Sequence, residues 1–136
     1  MMEKEQILRD FCRQILELDK TIGFVGIVDN IGILAIGEYR NGLNELLSKD
    51  ELELSILQET VRMASGKGTE TNLGKLVYTF SLYEKVKRAT IPLSNPKDHM
   101  LVVLFDTKAE HESIILKKIL PHLQKYRMYE TRNETG

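Results

Sequence analysis

The chain has 136 residues, 42% of them hydrophobic, and its 19 basic and 20 acidic residues leave a formal net charge of -1. That length suits one domain able to bury roughly two thirds of its unfolded surface. The near-neutral balance offers no overall attraction to nucleic acid or anionic lipid. A single cysteine, Cys12, excludes an internal disulfide and cysteine-based zinc frameworks, which fits a reducing compartment.

The opening MMEKEQILRD carries charges where a secretory leader needs an apolar run, and no window reaches the ~20 apolar residues of a membrane span. A cytoplasmic protein without membrane association is expected. From Lys4 to Leu18, the residues Ile7, Leu8, Phe11, Ile15 and Leu18 recur at spacings of three and four and predict a helix with one apolar face. Cys12 lies beside Phe11 and Ile15 and reads as a small buried hydrophobe, because no activating base stands near it.

The stretch Ile22 to Arg40, IGFVGIVDNIGILAIGEYR, is two apolar runs joined by a four-residue reversal. Asp29 opens the reversal and Gly32 closes it, as a type I turn ended by a positive-φ residue requires, so a β-hairpin is predicted. In its first strand Ile22, Phe24 and Val28 are expected on one face and Val25 and Ile27 on the other. Both faces are apolar, which marks a central strand. Gly23 and Gly26 weaken a strand unless something packs close to the backbone. The second strand, Ile33 to Tyr39, runs from apolar to polar, toward an edge.

Leu47-Ser48-Lys49-Asp50-Glu51-Leu52 is a capping box with a hydrophobic staple and starts a helix at Lys49 that runs to about Ser65. Its apolar residues form two stripes, one of Leu52, Ile56 and Met63, the other of Leu54, Leu57, Val61 and Ala64. Such a helix is either deeply buried or turns one stripe toward a second subunit. After the polar loop GKGTETN, Lys75 to Tyr83 alternates as a strand. Leu76, Tyr78, Phe80 and Leu82 share one face, and Lys75, Thr79 and Ser81 the other. A turn at Glu84-Lys85 leads into Val86 to Leu93, where Pro92 cannot donate to a ladder and marks a strand end or a free edge. His99 to Phe105 is apolar after the histidine and reads as a second central strand. Thr107 to Glu110 repeats the capping logic before a last helix with Ile114, Ile115, Ile119, Leu120 and Leu123 inward. Pro121 either kinks that helix or starts a new one. Residues 130–136 are a polar tail expected to be frayed, leaving residues 1–129 as a single domain.

Tests for chemistry fail on particular residues. A phosphate loop at Gly66-Lys67-Gly68 needs glycine where Val61 stands and Ser or Thr where Gly68 stands. His111-Glu112 begins a zincin motif, but Ile115 replaces the second histidine. No Gly-x-Ser-x-Gly elbow exists, and His99 and His122 stand alone. No catalytic residue, metal ligand or cofactor is therefore expected. The one local charge cluster, Lys85, Lys87 and Arg88 beside Tyr83, is a candidate anion contact, but Glu84 interrupts it and a solvated turn explains it more simply.

The elements give an α+β domain, helix-β-β-helix-β-β-β-helix, and the two-face strands become central in a five-stranded antiparallel sheet of order 2-1-5-4-3. The terminal helices are expected on one face and the middle helix on the other, with strand 3 at an edge. This order, the reversal Val28-Asp29-Asn30-Ile31-Gly32-Ile33 and the capped helix after it resemble the roadblock/dynein light chain family from Lys4 to about Leu123. The resemblance extends more loosely to longin and profilin-like folds. The segment LYEKVKRATIPL is also similar to one in an uncharacterised family of short archaeal proteins. Roadblock-like domains commonly dimerise through the middle helix and the edge strand beside it, and they serve as platforms or regulators of small GTPases. The resemblance thus implies a homodimer interface at Leu54, Leu57, Val61, Lys75, Val77, Thr79 and Ser81, and a protein partner such as a small GTPase. A small-ligand sensor of PAS or GAF type is the competing expectation, with Gly23, Gly26 and Gly37 providing room beneath the sheet. Nucleic-acid binding through Lys85, Lys87 and Arg88 is a third.

Overall fold

The structure is a computed structural model that describes residues 2–29, 31–40 and 70–129. The helix expected from Lys49, with Leu54, Leu57 and Val61, lies outside those residues, as does the tail 130–136. The described elements begin with α1 (Met2–Leu16), β1 (Ile22–Val28), β2 (Leu34–Tyr39) and the short α2 (Glu70–Leu73). They continue with β3 (Thr79–Leu82), β4 (Lys87–Pro92) and β5 (Met100–Phe105). A last helical stretch runs through α3 (His111–Ile114), a π-helical turn (Ile115–Ile119) and α4 (Leu120–Lys125). The strands form one antiparallel sheet of order β2-β1-β5-β4-β3, as the sequence pattern requires.

Every residue of β1 and β5 is buried. On one face, Phe11, Cys12 and Ile15 of α1 and Ile115, Ile119 and Leu123 of the last helical stretch pack on Val25, Ile27, Leu101 and Val103. Both terminal helices thus share a face, and each fully buried aliphatic side chain there contributes about 1.5–3 kcal/mol. Phe24, Val28, Met100, Val102 and Leu104 form a second cluster on the opposite face. Cys12 is fully buried, and burial pushes its thiol up to about 12, which leaves it inert.

The face expected of Ile22 is corrected. It packs with Val25 and Ile27, because the β1–β5 register steps from Ile22↔Phe105 to Phe24↔Leu104 and leaves Gly23 as a bulge residue. One extra residue inverts the alternation on either side of it. The two glycines further along do what a small residue in a strand usually does. Gly26 pairs with Gly37 of β2, and a Cβ on Gly26 would lie 2.8 Å from both Phe24 Cζ and Leu34 Cδ1. The Phe24 ring lies over this glycine pair and against Tyr39, with ring centroids 4.6 Å apart. The room expected at Gly26 and Gly37 is therefore filled.

The hairpin turn follows the sequence reading. Gly32 has φ +88° and donates to Asp29 O at 3.1 Å, while Asp29 Oδ1 accepts from the amides of Ile31 and Ile33 at 3.0 and 2.9 Å. At the far end of β2, Arg40 Nε donates to Ile22 O at 2.7 Å, and its Nη2 donates to Asp19 O at 3.1 Å and to Leu16 O. This guanidinium satisfies carbonyls left open where α1 ends. Glu38 accepts from Arg9 Nη1 and from Arg13 Nε, binding α1 to β2.

Two further expectations are corrected, and a third is decided between its alternatives. The strand expected over Lys75 to Tyr83 forms only as Thr79–Leu82. Tyr83 N donates to Val86 O at 2.9 Å, and antiparallel alternation then makes Ser81↔Arg88 and Thr79↔Thr90 the hydrogen-bonded pairs. The next such pair, Val77 with Pro92, would need an amide hydrogen that proline lacks, so the ladder stops. No side chain caps the start of α3, whose N-cap is Glu110; Asp106 Oδ1 instead accepts from Lys108 N at 2.9 Å. Pro121 follows the second alternative expected of it, standing in the first turn of α4, where its missing amide hydrogen costs least. The turn before it widens, with Leu120 N donating five residues back to Ile115 O, and this accommodates the missing donor.

That helical stretch ends in a Schellman motif. Met128 N donates to Leu123 O at 2.9 Å and Arg127 N to Gln124 O at 3.0 Å, while Arg127 takes φ +61°. Glycine is the residue for that conformation, so Arg127→Gly is expected to raise unfolding stability by about 0.5–1 kcal/mol in urea denaturation. Gly26→Ala is expected to lower it by about 1–3 kcal/mol, since the buried Phe24 ring has nowhere to retreat. A neutral effect at Gly26 would contradict the close packing.

Candidate functional site

β3 is an edge strand, and the pairing deduced above turns the amides and carbonyls of Phe80 and Leu82 away from β4. No strand among the described residues pairs with that edge. Apolar side chains accompany it: Leu82 is 68% exposed, and Val77 and Leu73 are also exposed. An open ladder beside exposed apolar side chains can accept another strand by main-chain hydrogen bonding.

The structure divides the expected interface residues. Leu54, Leu57 and Val61 lie outside the described residues. Thr79 and Ser81 stand on β3, and Val77 just before it. Lys75 is engaged within the chain, its Nζ 3.4 Å from Ser94 Oγ and 4.9 Å from the centroid of the Tyr129 ring.

Lys85, Lys87 and Arg88 do not converge. Lys85 is exposed on the β3–β4 turn, whereas Lys87 Nζ donates to Ala109 O at 2.7 Å. Arg88 is buried, with its guanidinium 5.7 Å from the centroid of the Tyr83 ring. Strand alternation sends Lys87 and Arg88 to opposite faces, so the sequence cluster is no cluster in space.

Phe80 carries the edge strand inward. Its ring stacks on His111 at 3.8 Å with an interplanar angle of 6°. The Nδ1 of His111 is buried without a hydrogen-bond partner, and burial, helped by Lys87, holds this imidazole below its ordinary titration range. His122 stacks on Phe11 at 5.2 Å, lies 4.9 Å from the Tyr126 ring and meets Gln14 Oε1 through Nε2 at 3.0 Å. It too is held low, by burial first and Lys125 second. Both histidines are accounted for by packing. Among the described residues, no group of three His, Cys, Asp or Glu could hold a metal, and no helix is long and apolar enough to cross a membrane.

A cleft of about 240 Å³ opens at the end of the sheet where β1 begins and β5 ends. Phe24, Tyr39, Val86 and Leu104 supply apolar wall, and Lys20, Lys85 and Asp106 the charge. Of its lining, the sequence pattern singled out Gly23 as a source of room and Lys85 as a candidate anion contact.

Five antiparallel strands in this order, with both terminal helices on one face, have the roadblock/LC7 fold. Among solved structures, the chain is similar to Myxococcus xanthus MglB (16% identity, TM-score 0.66), covering 96% of each chain. It is also similar to the gliding protein MglB of Thermus thermophilus (13% identity, TM-score 0.62), covering 85% of this chain and 79% of that one. A Roadblock/LC7 domain from Streptomyces avermitilis matches at 8% identity and TM-score 0.62, covering 87% and 95%. No family model matches the chain, and no curated protein does. The likeness is one of fold.

The two histidines give a pH dependence of defined sign. Their folded values lie below the ordinary 6.5, so the unfolded chain takes up protons first and stability falls as pH drops below 6.5. Asp19, held below its ordinary 3.8 chiefly by the Thr21 hydroxyl, adds a second loss at lower pH. Urea midpoints are expected to fall from pH 7 to pH 5, and His111→Gln/His122→Gln is expected to flatten that interval while leaving the loss below pH 4.

Proposed function

We propose that this chain is a non-enzymatic interaction module that self-associates as a homodimer and acts as a platform or regulator for a partner protein. The open β3 edge carries this reading. Two edges meeting antiparallel about a two-fold axis would satisfy the outward groups of Phe80 and Leu82 and cover Val77 and Leu82 together. Val77, Thr79 and Ser81 then line the contact, and Leu54, Leu57 and Val61 extend it. A stable pair needs about 1,000 Å² or more of buried area, more than a four-residue strand offers alone, so the proposal includes the helix stripe.

The roadblock-type fold supports the same direction, and a further similar structure is described as MglB with tetrameric arrangement. By the resemblance, the partner class is a small GTPase; the compartment proposed is the cytoplasm. Nucleic acid is disfavoured, since Lys85, Lys87 and Arg88 face different ways.

Sedimentation at micromolar concentration tests the proposal. The wild-type chain is expected to sediment as a dimer. Leu82→Pro removes an outward amide while leaving the β4 pairs intact, and it is expected to give a folded monomer with unchanged far-ultraviolet circular dichroism. A wild-type monomer, or a variant that dimerises like the wild type, would refute self-association through this edge.

A further inference from the structure

The bulge at Gly23 and the seating of Phe24 act together. Phe24 leans over Gly26 and Gly37, away from the strand start, and Gly23 contributes no side chain to fill the vacated volume. What remains is the cleft of about 240 Å³. At ~30 Å³ per water in the liquid, that is room for roughly eight waters, or for a ligand of about ten non-hydrogen atoms.

We infer that this cleft binds a small amphipathic monoanion, its apolar body against Phe24, Val86 and Leu104 and its carboxylate between Lys20 and Lys85. The charges around the cleft select that class. Lys20 and Lys85 reach it from the α1–β1 and β3–β4 connections, and neither has an ion pair or side-chain hydrogen bond among the described residues. The third charged group, Asp106, already accepts from Lys108 N through Oδ1. Two cations and one anion leave a single positive charge, which one carboxylate neutralises. A cationic ligand would add to that net positive charge, and a neutral alcohol would leave it unbalanced. Two other polar atoms beside the cleft are committed: Thr21 Oγ1 donates to Asp19 Oδ2 at 2.5 Å, and Gly23 O accepts from Arg40 N at 2.8 Å. Selectivity by charge therefore falls to the lysines. The inference is independent of self-association, because the cleft lies at the sheet end and not along the outward edge of β3.

Amide chemical shifts with sodium octanoate as probe test it, against octan-1-ol and octylammonium chloride. Octanoate is expected to move the amides of Thr21, Gly23, Lys85 and Val86, saturating at millimolar concentration, with octanol and octylammonium at least about tenfold weaker. Lys20→Glu/Lys85→Glu changes only exposed side chains and is expected to weaken octanoate about tenfold with an unchanged melting temperature. Equal binding of octanol and octanoate, octanoate binding unaffected by the charge reversal, or shifts absent from the cleft would each overturn the inference. Leu82→Pro supplies the separation from the dimer proposal, since octanoate should bind that monomer as it binds the wild type.

Discussion

β1 and β5 lie side by side with apolar side chains on both faces, and that arrangement can persist only if both faces are covered and both outer edges are paired. Neither strand can face water, so β2 and β4 must flank them, and the sheet order follows. The terminal helices then meet on one face because Ile15 and Ile115 need the same apolar surface formed by Val25, Ile27, Leu101 and Val103. The more polar strands are displaced outward. β3, bound only to β4, is what remains at one margin, and its exposure is a consequence of how completely the centre is satisfied.

Around that dry centre, polar contacts fix the angles at which the elements meet. Arg40 collects carbonyls from the end of α1 and the start of β1, and Glu38 draws Arg9 and Arg13 of α1 onto β2. Lys118 reaches back to Asp19 at 3.2 Å, joining the π turn to the loop that follows α1. Side chains at the rim of a core stay partly solvated, so each such tie stabilises modestly; their combined effect is orientation.

The sequence made the centre legible because two-face strands leave a simple pattern: an apolar run bounded by turn residues. Ile22 to Val28 and the run through Phe105 were readable on that basis, as was the Asp29 to Gly32 turn. Ile22 departs from the alternation because that pattern assumes an unbroken ladder, and the bulge at Gly23 breaks it. The length of β3 escapes the sequence pattern for a different reason. Pro92 is visible in the sequence, but its effect on a neighbouring strand appears only once the register is known. Lys85, Lys87 and Arg88 looked like a patch because proximity along a strand is not proximity on a face. The cleft left almost no sequence signal, since Lys20, Tyr39, Val86 and Leu104 come together only through sheet order. Arg127 in a left-handed conformation was equally hidden, because the glycine that usually marks such a position is missing.

The proline that halts β3 also sets a limit on growth. By cutting the free margin to four residues, it acts as a ruler for any visiting strand, which meets only the outward groups of Phe80 and Leu82. Such a short template can be completed once, by a partner that brings further contacts from elsewhere, yet it is too short to seed an open-ended stack of chains. A residue one strand removed from that margin thereby sets how much of it another strand could meet.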